Sequence, residues 1–387
     1  MHAAWDGYRC RVIDDLAQVP AADWDRLSGG DNPFLRHGFL AALERTGCVG
    51  EAHGWLAHHL LLERDGALVG ACPAYLKEHS FGEFVFDWGW AEAYERNGLA
   101  YYPKLLCAVP FTPATGPRLL CAPGADRADV CRALVSAAVQ LAGQAALSSA
   151  HWLFTDPADS RALEGMDLLR RWGCQFHWHN PGYRDLQDYL DALTSKRRKQ
   201  VRKERREAAQ APVSIELKHG DELSEAEIAQ YHALYCSTYD RKWGQPSLTL
   251  EFFFDLAEHM PRTLILILAK RAGRAVAGAH LLRGETALFG RNWGCSEQHR
   301  ALHFEMCYYR GIEYCIEHGL ARFEAGAQGE HKLTRGFLPV RTHSFHWIRD
   351  ARFRQAIGEF VAREREQTAQ YLHAAAAHSP FRARGAN

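Results

Sequence analysis

Apolar positions along the chain switch between two periods, and the switches mark out its elements. Short apolar runs at 57–64 and 67–76 flank Asp65-Gly66, which predicts a β-hairpin. The same arrangement returns at 264–270 and 275–282 around a turn at 271–274. Further strands are expected at 150–155, 175–179, 287–293 and 321–326. Three- and four-residue spacing of apolar positions predicts helices over 20–27, 32–44, 128–146, 161–172, 225–239, 249–259, 303–318 and 351–376. Residues 79–120 break the pattern: aromatic, rich in turns, with four prolines between 101 and 118.

Each half of the chain runs helix, hairpin, strand, helix, strand. The turns align loosely, Asp65-Gly66 against Ala272-Gly273. The pattern predicts a duplicated α/β (α+β) fold, with mixed central sheets flanked by helices. The expected domains are 1–183 and 184–387. A chain of 387 residues is also too long for one typical core.

Charge changes this picture at one place. The chain carries 46 basic and 46 acidic side chains, so it is not a general nucleic-acid coat. Yet eight of the twelve residues 195–206 are Lys or Arg. Good helix formers without Gly or Pro predict a basic helix at 195–207 that opens the second domain and needs negative charge beside it. The 11 cysteines include no C-x-x-C pair and many lie in apolar runs, as expected of reduced thiols in a cytoplasmic protein. No signal-peptide pattern opens the sequence, and its longest aliphatic run is too short to span a bilayer. The 21 histidines show no zinc signature, so no metal is expected.

Candidate chemistry gathers in three stretches. On the basic helix Arg197 falls on the apolar arc of Leu190, Leu193, Val201, Glu204 and Ala208. It is expected either to pair with a carboxylate such as Glu204 or to clamp a phosphate with its planar fork. Lys199 and Arg202 lie on the outer face, as solvated charge or as further phosphate contacts. The Gly-rich loop 326–332 follows a strand, and its N–H groups, with Lys332 and Arg335, suit an anion. Acyl transfer needs donors for an oxyanion and a base for the attacking amine. Glu305, Glu330, His331 and Lys332 are the catalytic candidates. Tyr102, Lys104 and Arg118, in the proline-rich stretch, are either parts of a rigid covering loop or a wall of an acceptor site. Arg291 and Asn292 are candidates for binding substrate at a strand end.

The basic stretch 195–204 and the strand-then-Gly-rich segment 323–337 resemble the Fem-like branch of the GNAT acyltransferase superfamily. Segments 102–118 and 302–309 narrow the resemblance to Fem-related proteins of peptidoglycan biosynthesis or recognition. The resemblance covers nearly the whole chain. It implies tandem GNAT-like domains in a bacterial, cytoplasmic transferase moving an activated acyl group onto an amine of an anionic acceptor, a cell-wall precursor being one candidate. No tightly bound cofactor is implied; aminoacyl-tRNA or acyl-CoA would be co-substrate. An acyl-CoA-using N-acetyltransferase carries a Gly-rich pyrophosphate loop before its central helix, whereas residues 296–305 contain no glycine. That absence disfavours acyl-CoA and suits the Fem-like branch. The resemblance also leaves open a non-catalytic protein recognising a peptidoglycan precursor, a nucleotide sugar or tRNA, with contact to a membrane surface compatible with either reading.

Overall fold

The computed structural model describes residues 2–5, 7–240, 245–327 and 329–382. The chain divides into two compact units, 1–174 with 341–370, and 175–340 with 371–387. The sequence pattern places one boundary near 183; here the second unit begins at 175 and the segment 341–370 returns to the first.

In the first unit, β1 (His2–Trp5), β2 (Tyr8–Ile13), β4 (His59–Arg64), β5 (Ala67–Cys72) and β8 (Leu120–Cys121) form one sheet in the order β1-β2-β4-β5-β8. Its hairpin closes Arg64 onto Ala67, with Asp65 at φ +51° and Gly66 at φ +78°. Positive φ at both central residues is the type I′ geometry that matches strand twist. A second set of strands runs β3 (Trp55–Ala57), β6 (Ala74–Lys77), β7 (Lys104–Cys107), β9 (Ser149–Leu153) and β16 (Leu338–Ile348). β7 and β9 are parallel, joined by a crossover through α4 (Arg127–Gln144). The core lies where α4 meets β4, β5, β7 and β9, around Leu134, Leu62, Leu105 and Trp152. The helices α1 (Ala21–Ser28), α2 (His37–Arg45), α3 (Trp88–Arg96) and α5 (Pro157–Glu164) complete this part of the chain. The helix expected over 161–172 is not formed as such. Asp156 caps α5, which stops at Glu164, and β10 (Leu169–His179) follows, with Trp172, Phe176 and Trp178 supplying strand-favouring aromatic residues.

In the second unit, α6 (Leu186–Ala192) and α7 (Ser195–Ala209) precede β11 (Ser214–His219), α8 (Glu225–Asp240) and α9 (Leu250–His259). Then come β12 (Leu264–Arg271), β13 (Arg274–Arg283), β14 (Ala287–Cys295) and β15 (Arg322–Glu324), in the sheet order β11-β12-β13-β14-β15-β10. The hairpin turn again has positive φ at both centres, Ala272 at +49° and Gly273 at +78°. β14 and β15 are parallel, and the crossover is α10 (Leu302–Phe304), a π turn (Glu305–Tyr309) and α11 (Arg310–Glu317). Each unit therefore places antiparallel strands before a parallel pair bridged by a helix. α12 (Ala351–Ala377) ends the described chain. Among the described residues no helix is long and apolar enough to cross a membrane, and no group of three or more His, Cys, Asp or Glu side chains could hold a metal ion.

Candidate active site

β14 and β15 pair from Ala287↔Arg322 to Phe289↔Glu324 and then part. Gly290 stands at the fork, where an added Cβ would lie 3.3 Å from the Ala325 Cα. Just beyond, β14 bulges against β13: the register jumps from Leu281↔Gly290 to Ala279↔Trp293. Such a bulge re-aims side chains, and here it falls on Arg291 and Asn292. Arg291 is buried enough that its pKa falls to about 10, with Tyr239, Tyr235 and Glu324 acting in the opposite sense. Buried Glu324 lies 2.8 Å from Arg322 and 3.7 Å from His177.

Lys332 adds a further charged group at this fork. It is 2 % exposed, and its Nζ donates to the Gly326 carbonyl at 2.6 Å. Burial lowers its pKa to about 8, with Cys307 opposing the shift. Around it His303 lies 5.2 Å from Trp293, 5.5 Å from Tyr308 and 6.3 Å from His331, ring centre to ring centre. Burial, then the charges of His331, Arg335 and Lys332, bring His303 down to about 4. His331 is likewise lowered by burial, Arg335 and Lys332, and its Nε2 lies 2.7 Å from the Tyr308 hydroxyl. Gly329, at φ +110°, lets the His331 ring lie against the backbone, where a Cβ would come within 2.2 Å of it. The site thus holds a neutral imidazole with a phenol partner, beside an ammonium that loses its proton easily.

The other candidates in this unit are committed to ion pairs or hydrogen bonds, or are exposed. Both oxygens of Glu305 accept from Arg205 at 3.0 Å, and Arg205 also reaches Glu313 at 2.8 Å. Arg335 grips Glu204 through two bonds of 3.0 and 2.7 Å, donates to the His331 carbonyl at 2.6 Å, and covers the Phe304 ring. It therefore shapes the Lys332 loop with a guanidinium already engaged. Glu330 is exposed and accepts from the Tyr371 hydroxyl at 2.7 Å. Half-buried Arg197 donates to Gln200 on its own helix at 3.0 Å. Lys199 and Arg202 are exposed, with Arg202 bonded to Gln187 at 3.0 Å. Because Leu193 is extended and separates α6 from α7, Leu190 and Arg197 do not share one continuous helix.

Tyr102, Lys104 and Arg118 lie in the first unit; Tyr102 and Lys104 meet there, the ammonium 5.6 Å from the Tyr102 ring centre, while Arg118 has partners of its own. The Lys104 ammonium is fully buried on Ser80 at 2.9 Å, Glu83 at 2.9 Å and Asp87 at 2.6 Å. Burial pushes Glu83 up to about 7 against the pull of Lys104. Asp87 is also penalised by burial, but Lys104 and His151 bring it down to about 2. The Tyr102 hydroxyl meets the same Ser80 at 2.9 Å. Arg118 is fully buried and donates to the carbonyls of Leu153, Pro117 and Ala114. It clamps the loop beyond β7 and presents no face to a phosphate.

The sequence offered His303, Phe304 and Tyr308 only within the segment 302–309 that carries the resemblance, and Arg205 only as one of the outward basic residues of the helix, with no role at a site for any of them.

The FemAB-like family, described as peptidoglycan biosynthesis/recognition, matches residues 15–383. The crystal structure of FemX superposes with a TM-score of 0.54 at 11% identity, over 88% of this chain and 98% of that one. The C-terminal domain of a putative lysylphosphatidylglycerol synthetase from Agrobacterium fabrum gives 0.52 at 13% identity, over 87% and 95%. L-PGS from Bacillus licheniformis gives 0.50 at 11%, over 87% and 98%. At such identities these three show a shared fold alone. No curated protein sequence matches the chain. The duplicated α/β fold with mixed sheets flanked by helices expected from the sequence is borne out, and the chain belongs to the FemAB-like family.

Proposed function

We propose that the second unit is an acyltransferase site that moves an activated acyl group, from aminoacyl-tRNA or acyl-CoA, onto an amine of an anionic acceptor in peptidoglycan biosynthesis. One observation carries this reading: a nearly buried lysine that donates to the Gly326 carbonyl, at the fork of two parallel strands, beside a neutral histidine. The amine attacks the acyl carbonyl, a C–N bond forms, and the bond to the departing oxygen or sulfur breaks. Lys332 stabilises the oxyanion of the tetrahedral intermediate, which the site's low dielectric strengthens. His331, unprotonated at neutral pH and oriented by Tyr308, takes the amine proton. A proton from Lys332 then leaves with the departing group. Exposed Lys199 and Arg202 hold the phosphates of the donor or acceptor, since exposed side chains on a basic helix bind a backbone without fixing sequence. Residues 296–305, without glycine, favour the tRNA ester over the CoA thioester.

The test supplies alanyl-tRNA or acetyl-CoA as donor with a UDP-sugar pentapeptide as acceptor and reads the product by mass spectrometry. Lys332→Ala should lower kcat by about 10²-fold or more, the size typical of a lost oxyanion donor, while acceptor affinity stays within twofold. Equal loss of affinity and turnover would instead make this a recognition protein, the second function for which its family is described.

A further inference from the structure

His331 and Lys332 sit on a 3₁₀ turn of six residues, Glu330–Arg335. Such turns rarely run past three or four residues, because their hydrogen bonds are poorly directed. Burying an ammonium is also unfavourable, so a free turn would open and return Lys332 to water. Contacts outside the turn must hold it shut.

Two of them come from the chain beyond 370, where the second unit resumes. Tyr371 donates its hydroxyl to Glu330, the first residue of the turn, at 2.7 Å. At the other end the chain leaves through Gly336, at φ +86°. An added Cβ there would lie 3.1 Å from the Phe381 ring, and 3.2 Å from Trp178 and from Tyr189. Tyr189 also donates to the Arg335 carbonyl at 2.9 Å. Half-buried Phe381 is anchored in turn by its backbone neighbours. The Thr194 N–H donates to the Pro380 carbonyl and the Arg382 N–H to the Ala192 carbonyl, both at 2.9 Å. Phe381 faces buried Leu193 in an antiparallel bridge between them. Residues 371–382 therefore run from α12 to the α6–α7 junction and touch the turn at both of its ends.

We infer that residues 371–382 form a strap that holds this turn closed, with Tyr371 and Phe381 as positioning residues for Lys332. Its consequence for turnover rests on the acyl-transfer reading, whereas the closure of the turn does not.

Amide hydrogen exchange of the full chain tests the closure without turnover. In Phe381→Ala, exchange at 326–337 should quicken by about tenfold or more, as expected for a lost ring contact. Tyr371→Phe, at an exposed position that the fold tolerates, should quicken it by about three- to fivefold, the worth of one hydrogen bond. Exchange in β12 and β13 should stay as in the wild type in both. The pH midpoint for labelling Lys332 with trace acetic anhydride should rise in Phe381→Ala toward that of an ordinary lysine, while exposed Lys203 should not move. With alanyl-tRNA and a UDP-sugar pentapeptide, Phe381→Ala should lower kcat by about tenfold and leave KM within about twofold, the pattern of a displaced catalytic group. Unchanged exchange at 326–337 in both variants, an equal rise in β12 and β13, or a loosened turn with wild-type kcat would overturn the inference. Absence of turnover in the wild type would overturn the acyl-transfer reading alone, because exchange and labelling still decide the strap.

Discussion

A lysine that exchanges water for a buried site holds its proton less firmly, and that cost is measurable apart from catalysis. Lys332 falls from 10.5 to about 8 through burial, a difference of about 3 kcal/mol against the folded, protonated state. Between pH 8 and 10.5 the unfolded chain binds more protons at this residue than the folded one, so stability rises with pH across that window. Lys332→Met, which fits the same space without a charge, should be more stable than the wild type at pH 7 by about that amount, with the gap closing by pH 10.5. Urea denaturation across that range reads it, and a gap independent of pH would mean that the amine is well solvated. A residue that destabilises the fold while facing a fork of strands has the profile of a functional group. Lys332 was legible because a Gly-rich segment follows a strand. Tyr308 and His303 were not, because their placement depends on a π turn at 305–309 that no local pattern announces. Glu305 was legible as a carboxylate near the site, but only the fold reveals that Arg205 takes both of its oxygens.

At the scale of elements, the basic helix divides into two unlike faces. Val201 and Ala208 are buried, and between them Glu204 and Arg205 reach Arg335, Glu305 and Glu313. The spacing 201, 204, 205, 208 is readable in the sequence, but the partners are not, since they lie about 100 residues or more away. Arg205→Met should cost about 3 kcal/mol, because Glu305, with a side chain 6% exposed, loses its bidentate partner and keeps, among the described residues, Arg310 at 3.2 Å. Lys203, 66% exposed and 3.8 Å from Glu207, should cost less than about 0.5 kcal/mol when changed to Met. Chemical denaturation of both variants separates the readings. Similar small effects would make α7 only a diffuse positive surface. The misread helix at 161–172 shows the opposite limit: its apolar residues fit either period over so short a span, and the Asp156 cap with early termination at Glu164 decided the outcome.

At the scale of the molecule, both type I′ hairpins and the repeated order of elements made the duplication legible. What the pattern could not show is that 341–370 leaves the second unit and completes the first, because pairing between distant segments leaves no local periodicity. Five residues of β16, Ser344 to Ile348, pair with β9, and Phe345, Ile348, Ile357 and Val361 are buried there. At about 1.5–3 kcal/mol for each large apolar side chain, their removal takes away as much as the whole stability of a typical domain, about 5–15 kcal/mol. A fragment of residues 1–183 should therefore lack a cooperative unfolding transition, and its exposed β9 edge should promote aggregation. Joining Cys174 directly to Arg341 through a short glycine turn should restore folding. The join is geometrically undemanding: a Cβ on Gly173 would lie 2.7 Å from the Thr342 hydroxyl, and the Arg341 guanidinium sits 3.8 Å from the centre of the Trp172 ring. Circular dichroism with urea titration distinguishes the two fragments. Cooperative unfolding of 1–183 alone would show that the returning segment is an accessory to the first unit rather than part of its core.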